Sequence, residues 1–107
     1  MEMSVSQSGD HVRFVLAGRI DEKAAEQLKE RFHALSLAGI REVVFDFKDV
    51  PHIGSAGIGK LLLFYKDIST ANGVMRIENA QPAIYDLMKM VKLDIGELKR
   101  AYAGTGT

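Results

Sequence analysis

The sequence predicts an α/β fold in which a four-stranded mixed β-sheet has helices packed against it. Two observations carry this expectation. The first eighteen residues read as two strands joined by a tight turn, and helical and strand patterns then alternate, giving the order β-β-α-β-α-β-α. The chain has 107 residues, with 47% of them apolar, which is enough for one core and one domain over residues 1–107. Parallel pairing is expected wherever a helix links two strands.

In "SVSQSGDHVRFVLAG" a short strand meets a turn at Ser8-Gly9-Asp10. A second strand follows, with Val12, Phe14 and Leu16 alternating, and Gly18 closes it. The next segment, "RIDEKAAEQLKERFHALSLAG", has Asp21 as N-cap and Glu22 in the first turn. Ala24, Ala25, Leu28, Phe32 and Leu35 recur at helical spacing, and Gly39 suits the C-terminal stop. "REVVFDF" is apolar on both faces around Asp46, the pattern of a strand covered on both sides in the middle of a sheet.

A second helix is expected from about Ser55 to Ser69, then a turn at Asn72-Gly73 and a short strand in "VMRIEN". "QPAIYDLMKMV" reads as a third helix with Pro82 in its first turn. Its Met88, Met90 and Val91 exceed what one core face needs. "LDIGELKRAY" is ambiguous, and residues 103–107, "AGTGT", read as a flexible tail.

Lysine plus arginine equals aspartate plus glutamate, 14 each, so the basic excess of a dedicated nucleic-acid binder is missing and no direct nucleic-acid contact is expected. No apolar run is long enough to insert into a membrane, and the start lacks the regions of a secretion signal. With no cysteine in the chain, disulfides and thiolate metal sites are absent, which suits a cytoplasmic protein.

The stretch "HIGSAGIGKLLLFYK" has two readings. Gly54, Gly59 and Lys60 match the phosphate-binding pattern G-x-x-x-x-G-K between a strand and a helix. The next residue, however, is Leu61 where a hydroxyl must reach magnesium, and the following strand offers only Glu78 as an acidic metal ligand. "GSAG" is not a nucleophile elbow, because Ile53 stands where the first glycine belongs. His11, His33 and His52 are scattered and lack metal-ligand spacing. Neither an enzyme nor a cofactor or metal site is expected.

In the second reading Ser55 is the N-cap or first residue of the helix. It either caps the helix or receives a phosphate, which free amides and the helix dipole would favour. Gly54, Ala56, Gly57 and Gly59 keep the surroundings bare, either for the approach of another protein's active site or for close helix–strand packing. Along this helix Gly57, Leu61, Phe64 and Ile68 form the core stripe. Ile58, Leu62 and Tyr65 form a second stripe beside it, and Leu63 points almost opposite. The surplus is covered by other elements or by a partner.

These residues resemble the STAS family, the sulfate-transporter and anti-sigma-factor-antagonist domains. "LAGRID" is similar to the family's Leu-x-Gly-x-(Leu/Ile)-Asp before the first helix. "VVFDFKDVPHIGSAGIGKLL" is similar to its strand, loop and helix start, where Asp and two hydroxyl residues precede Gly-(Leu/Ile)-Gly. The resemblance implies a regulatory protein-binding module, an anti-sigma-factor antagonist in a phosphorylation-controlled partner-switching pathway. Its partner would be an anti-sigma factor with serine-kinase activity, and that partner would bind the ATP. Ser55 falls on the phosphoacceptor. Asp21 and Asp46 fall on supporting acidic positions, which lie close to the phosphoacceptor in such domains. Asp49, His52, Gly54, Ala56, Gly57, Ile58 and Leu62 would contribute to partner contact. The motif's aspartate is Gly54 here and its second hydroxyl residue is Ala56. Those departures point to the alternative within the family, a non-phosphorylated accessory subunit of a transporter of the phospholipid-transport type or of a signalling complex.

Overall fold

The computed structural model describes residues 1–90. The segment "LDIGELKRAY", Val91 and the tail at 103–107 lie outside them. Strand β1 (Glu2–Ser8) turns through Gly9-Asp10 into β2 (His11–Ala17), pairing antiparallel with Ser8 opposite His11. Gly9, at φ 61, is the first central residue of this two-residue loop, a position that favours glycine. Helix α1 (Glu22–His33) leads to β3 (Glu42–Asp49), and α2 (Ser55–Thr70) leads to β4 (Val74–Glu78). Both β2–β3 and β3–β4 are parallel, as helical connections require. The sheet order is β1-β2-β3-β4, and α3 (Pro82–Met90) follows β4.

The helices pack on one face of the sheet. Val12, Phe14 and Leu16 of β2, Val43, Phe45 and Phe47 of β3, and Met75 and Ile77 of β4 form one buried cluster. Leu28 and Phe32 of α1, Leu61, Phe64 and Ile68 of α2, and Ile84 and Met88 of α3 belong to it too. Its middle is a run of stacked rings: Phe14–Phe45 at 4.9 Å, Phe45–Phe64 at 5.9 Å and Phe64–Phe32 at 4.1 Å between centroids. This run joins two strands to two helices through offset ring contacts.

The expectation that β3 is covered on both sides changes in form. Val44 is only 6% exposed although it lies outside the helix-side cluster. Its cross-strand neighbours are Arg13 and Arg76. Arg13 reaches across β3, its Nη2 donating to Asp46 Oδ2 (2.8 Å) and its Nη1 to Glu78 Oε1 (2.9 Å). Arg76 Nε lies 2.9 Å from Glu42 Oε2. The aliphatic stems of the arginines lie over the strand where a helix would otherwise be needed.

Two helix ends follow different rules. At the end of α2, Gly73 N–H donates to Ile68 O (2.8 Å) and Asn72 N–H to Ser69 O (3.0 Å), with Asn72 at φ 65. This is a Schellman closure with asparagine in the left-handed position. Gly39 was expected to stop α1, but the helix ends six residues earlier, at His33. Leu35 and Leu37 are only two apart and both pack against the core, which a continuing helix does not allow. Gly39, at φ 84, instead closes a turn in which Ile40 N–H donates to Leu37 O (3.0 Å).

Gly57 is the tightest point of the helix layer. A Cβ there would lie 2.7 Å from Ile53 Cγ1 and 2.8 Å from Ile20 Cγ2, both on buried side chains. Gly57→Ala should therefore destabilise the fold by about 1–3 kcal/mol, outweighing the better helix propensity of alanine. Urea denaturation checks this, and an unchanged or raised midpoint would show that the two isoleucines shift freely.

A second expectation concerns acid. Burial of the Asp46 carboxyl pushes its pKa up, but the Lys48 N–H, the Asn79 amide and Arg13 outweigh burial and hold it below the ordinary value. A group with a lowered native pKa contributes fully above its unfolded value, about 3.9, and loses the contribution as pH falls through the native value. Stability measured from pH 6 down to 2 should accordingly fall more steeply in the wild type than in Asp46→Asn. Parallel curves would rule out this carboxylate as a source of the acid sensitivity.

Candidate functional site

Two loops are fastened together beyond the ends of β2 and β3. Gly18 N–H donates to Asp49 O, Ile20 N–H to His52 O and Gly54 N–H to Ile20 O, each at 2.9 Å. Ile20 and Ile53 form an isolated parallel bridge, and their side chains are buried. The starts of α1 and α2 are thereby set side by side, one carrying Asp21 and the other Ser55.

The two starts are built differently. Asp21 caps α1, its Oδ1 accepting from Ala24 N–H at 2.8 Å. That bond, first among several causes, lowers the pKa of Asp21. At α2 the N-cap is Gly54, at φ −89 and ψ 175, which offers no side-chain acceptor, and the first turn holds no acidic residue. Ser55 is the first helical residue rather than the cap, and it is exposed. The first-turn amides of α2 thus lack the side-chain cap that α1 has.

The other expected site residues separate into those near Ser55 and those remote from it. Asp49 and His52 are exposed, and Gly54 and Ala56 are half-buried. Gly57 is buried against the isoleucine bridge. Ile58 was expected in the partner-facing stripe, but it is 5% exposed and belongs to the core cluster, because the core face of α2 extends one residue beyond Gly57. Leu62 is 37% exposed and Leu63 beside it 52%. Gly59 stands four residues after Ser55 on the same face, and a Cβ there would meet nothing within 4 Å. The outer face of α2 therefore runs from Ser55 through Gly59 to Leu62 and Leu63.

Asp46 was expected close to the phosphoacceptor. Its position in β3 puts it instead on the face away from the helices, where it is bonded to Arg13, Asn79 and the Lys48 amide. A shallow depression of about 250 Å³ lies on the same face, lined by Ser6, His11, Arg13, Glu42 and Val44 among others, with no part of α2 in its wall. Sequence reasoning passed over Arg13, which organises that face, although its place in the polar phase of β2 was a usable signal. It also passed over Leu63 as a contact residue.

The phosphate-loop reading gains no support from the geometry. Leu61 is fully buried, and Lys60 Nζ lies 3.3 Å from Glu26 Oε1 on α1. No group of three or more His, Cys, Asp or Glu among the described residues could hold a metal ion, and none of their helices is long and apolar enough to cross a membrane.

The fold matches solved anti-sigma factor antagonists. SpoIIAA from Bacillus in its unphosphorylated form is 18% identical, with a TM-score of 0.73 and 83% of each chain covered. The phosphorylated form of SpoIIAA is 17% identical, also with a TM-score of 0.73, covering 87% of this chain and 86% of that one. An anti-sigma factor antagonist from Mycobacterium paratuberculosis is 21% identical, with a TM-score of 0.73 over 89% of this chain and 80% of the other. A putative antagonist from Thermotoga maritima reaches a TM-score of 0.77 at 18% identity, over 86% and 80%. At these identities the likeness establishes the fold. The family model of the STAS domain matches residues 2–101, and the chain belongs to the STAS domain family.

Proposed function

We propose that this protein is a regulatory binding module, an anti-sigma-factor antagonist whose hold on its partner is switched by phosphorylation of Ser55. One observation carries the reading: Ser55 stands exposed at the uncapped start of α2. A phosphate there would meet the amides and the positive end of the helix dipole. The partner would be an anti-sigma factor with serine-kinase activity that binds the ATP itself. It would contact the loop from Asp49 to Gly54, Ala56 and Leu62, with Leu63 added on geometric grounds. Gly57 would act indirectly, by seating α2. The named solved structures, antagonists of anti-sigma factors, support the partner class. The cytoplasm is the compartment such a switch requires.

Gly59 supports a close approach along this face. A glycine inside a helix costs about 1 kcal/mol relative to alanine. Packing among the described residues gives no reason for it, since an added Cβ would meet none of them within 4 Å. A partner surface that comes close to the helix backbone supplies the reason. Gly59→Ala should raise stability by up to about 1 kcal/mol while weakening partner binding. Denaturation and a binding titration measured on the same variant check both halves. Tighter or equal binding would remove Gly59 from the interface.

The accessory-subunit reading is favoured by Gly54, which leaves the family's carboxylate position empty. The two readings diverge in an affinity capture from lysate with wild type, Ser55→Ala and Ser55→Glu, followed by mass spectrometry. The switch requires an ATPase of the histidine-kinase-like class that is held by wild type and Ser55→Ala. It should be lost or weakened about tenfold or more with Ser55→Glu, whose charge would be buried at the contact. A transporter component held equally by all three would establish the accessory role. Because Ser55 is not the cap, Ser55→Ala should change stability by no more than about 0.5 kcal/mol, so binding effects can be read directly.

Gly54→Asp tests what the missing carboxylate does. An added Cβ would meet only Ile20 O, at 3.7 Å, so the side chain fits. Asp at the cap should stabilise α2 by a few tenths of a kcal/mol. If the partner is a kinase, the variant should also take up phosphate faster than wild type, read by intact mass. No change in rate would show that this carboxylate is dispensable.

A further inference from the structure

The two edges of the sheet are not alike. β4 is five residues long and carries Arg76, paired with Glu42 on β3, and Glu78, paired with Arg13 on β2. Short length and charge are the usual protections of an edge strand. β1 is seven residues long and contains no lysine, arginine or proline, and its single charge is Glu2, at one end. Among the described residues it pairs with β2 on one side only. Met3 and Val5 are left half-covered at the rim of the core cluster.

The direction of the free backbone groups follows from the hairpin. A two-residue loop makes its flanking pair, Ser8 and His11, a hydrogen-bonded one. Antiparallel alternation then directs the N–H and C=O groups of Met3, Val5 and Gln7 away from β2. We propose that this edge pairs with the same strand of a second copy, antiparallel and centred on Val5, to form a two-fold dimer with one continuous sheet.

The sequence of β1 fits that register. Met3 falls opposite Gln7 of the other copy, Ser4 opposite Ser6, and Val5 opposite itself. Glu2 meets Ser8, and the two Glu2 residues stand at opposite ends of the pair, about 20 Å apart. No like charges face each other. Both helix layers fall on the same side of the joined sheet, so each copy's Met3 and Val5 cover those of the other and extend the core across the seam. Eight strands lie within the ordinary range for an open sheet. The contact is smaller than a standard interface of about 1,200–2,000 Å², so the dimer should dissociate at a Kd weaker than about 1 μM. The edge lies beyond β2, one strand removed from β3 and the Ser55 loop, so pairing there leaves that site open.

Sedimentation across a wide concentration range tests the proposal, together with two variants. Val5→Pro removes an outward N–H while leaving the ladder to β2 intact, so the fold is kept and association should weaken about tenfold or more. Because the chain has no cysteine, Val5→Cys introduces a single thiol. Across the two-fold axis the paired Cα atoms would be about 5.5 Å apart, within disulfide range. Mild oxidation should cross-link Val5→Cys rapidly and Ser8→Cys hardly at all, and this result does not depend on how Val5→Pro folds. A wild type that stays monomeric at every concentration would overturn the proposal. So would Ser8→Cys linking as readily as Val5→Cys.

Discussion

The bridge between Ile20 and Ile53 is the constraint on which the rest of the site depends. It lies where two parallel strands have given out, and its backbone bonds tie together the loops that lead into α1 and α2. Because both loops are fixed at that point, both helices begin there, at the C-terminal ends of neighbouring strands. Only a glycine at position 57 lets α2 settle onto the two isoleucines. Two helix starts side by side place two positive dipole ends together. Asp21 compensates one of them as a charged cap, and the other carries no such group. The electrostatic asymmetry around Ser55 is therefore a consequence of backbone geometry set by core packing.

Away from that corner the sheet divides its labour between faces. The helix side is held by the stacked phenyl rings and the aliphatic cluster around them. The other side is held by Arg13 and Arg76, which bind carboxylates on β3 and β4 while their stems cover Val44. Asp46 belongs to this second system. An acidic residue in the central strand thus stabilises the open face, and its carboxylate is committed to Arg13 and Asn79.

Much of this was legible in the sequence because period and punctuation agreed. The Ser8-Gly9-Asp10 turn, the capped start at Asp21 and the core stripe of Gly57, Leu61, Phe64 and Ile68 all stand as read. The misreadings share one cause: local pattern does not encode which neighbour a side chain meets. Gly39 looked like a helix stop because glycine suits several left-handed positions, and the chain used it in a turn after Leu35 and Leu37 had already left the helix. The apolar run of β3 looked doubly covered, and nothing in it announces that arginines two strands apart form the second cover. Ile58 was placed in a second stripe and among the partner contacts because a helical wheel assigns an angle, whereas the width of the buried face depends on how closely Gly57 lets the helix approach. Asp46 was carried onto the site by family resemblance, and strand alternation sends it to the other face.

The glycine-rich stretch shows how one string supports two readings until each letter has a cause. Lys60 is bound to Glu26 on α1, and Leu61 is fully buried. Gly57 is required by the isoleucines beneath it. These three are accounted for inside the fold, which takes the lysine and the magnesium-ligand position away from a nucleotide. Gly54 and Gly59 are the remainder. Neither is at a positive φ, and an added Cβ would be accommodated at both. Each costs the helix something that alanine or aspartate would restore. Both flank Ser55 on the open side of α2. The positions whose glycines the described residues do not require lie around the residue whose exposure the fold does provide. That coincidence argues for a surface shaped by what approaches it from outside.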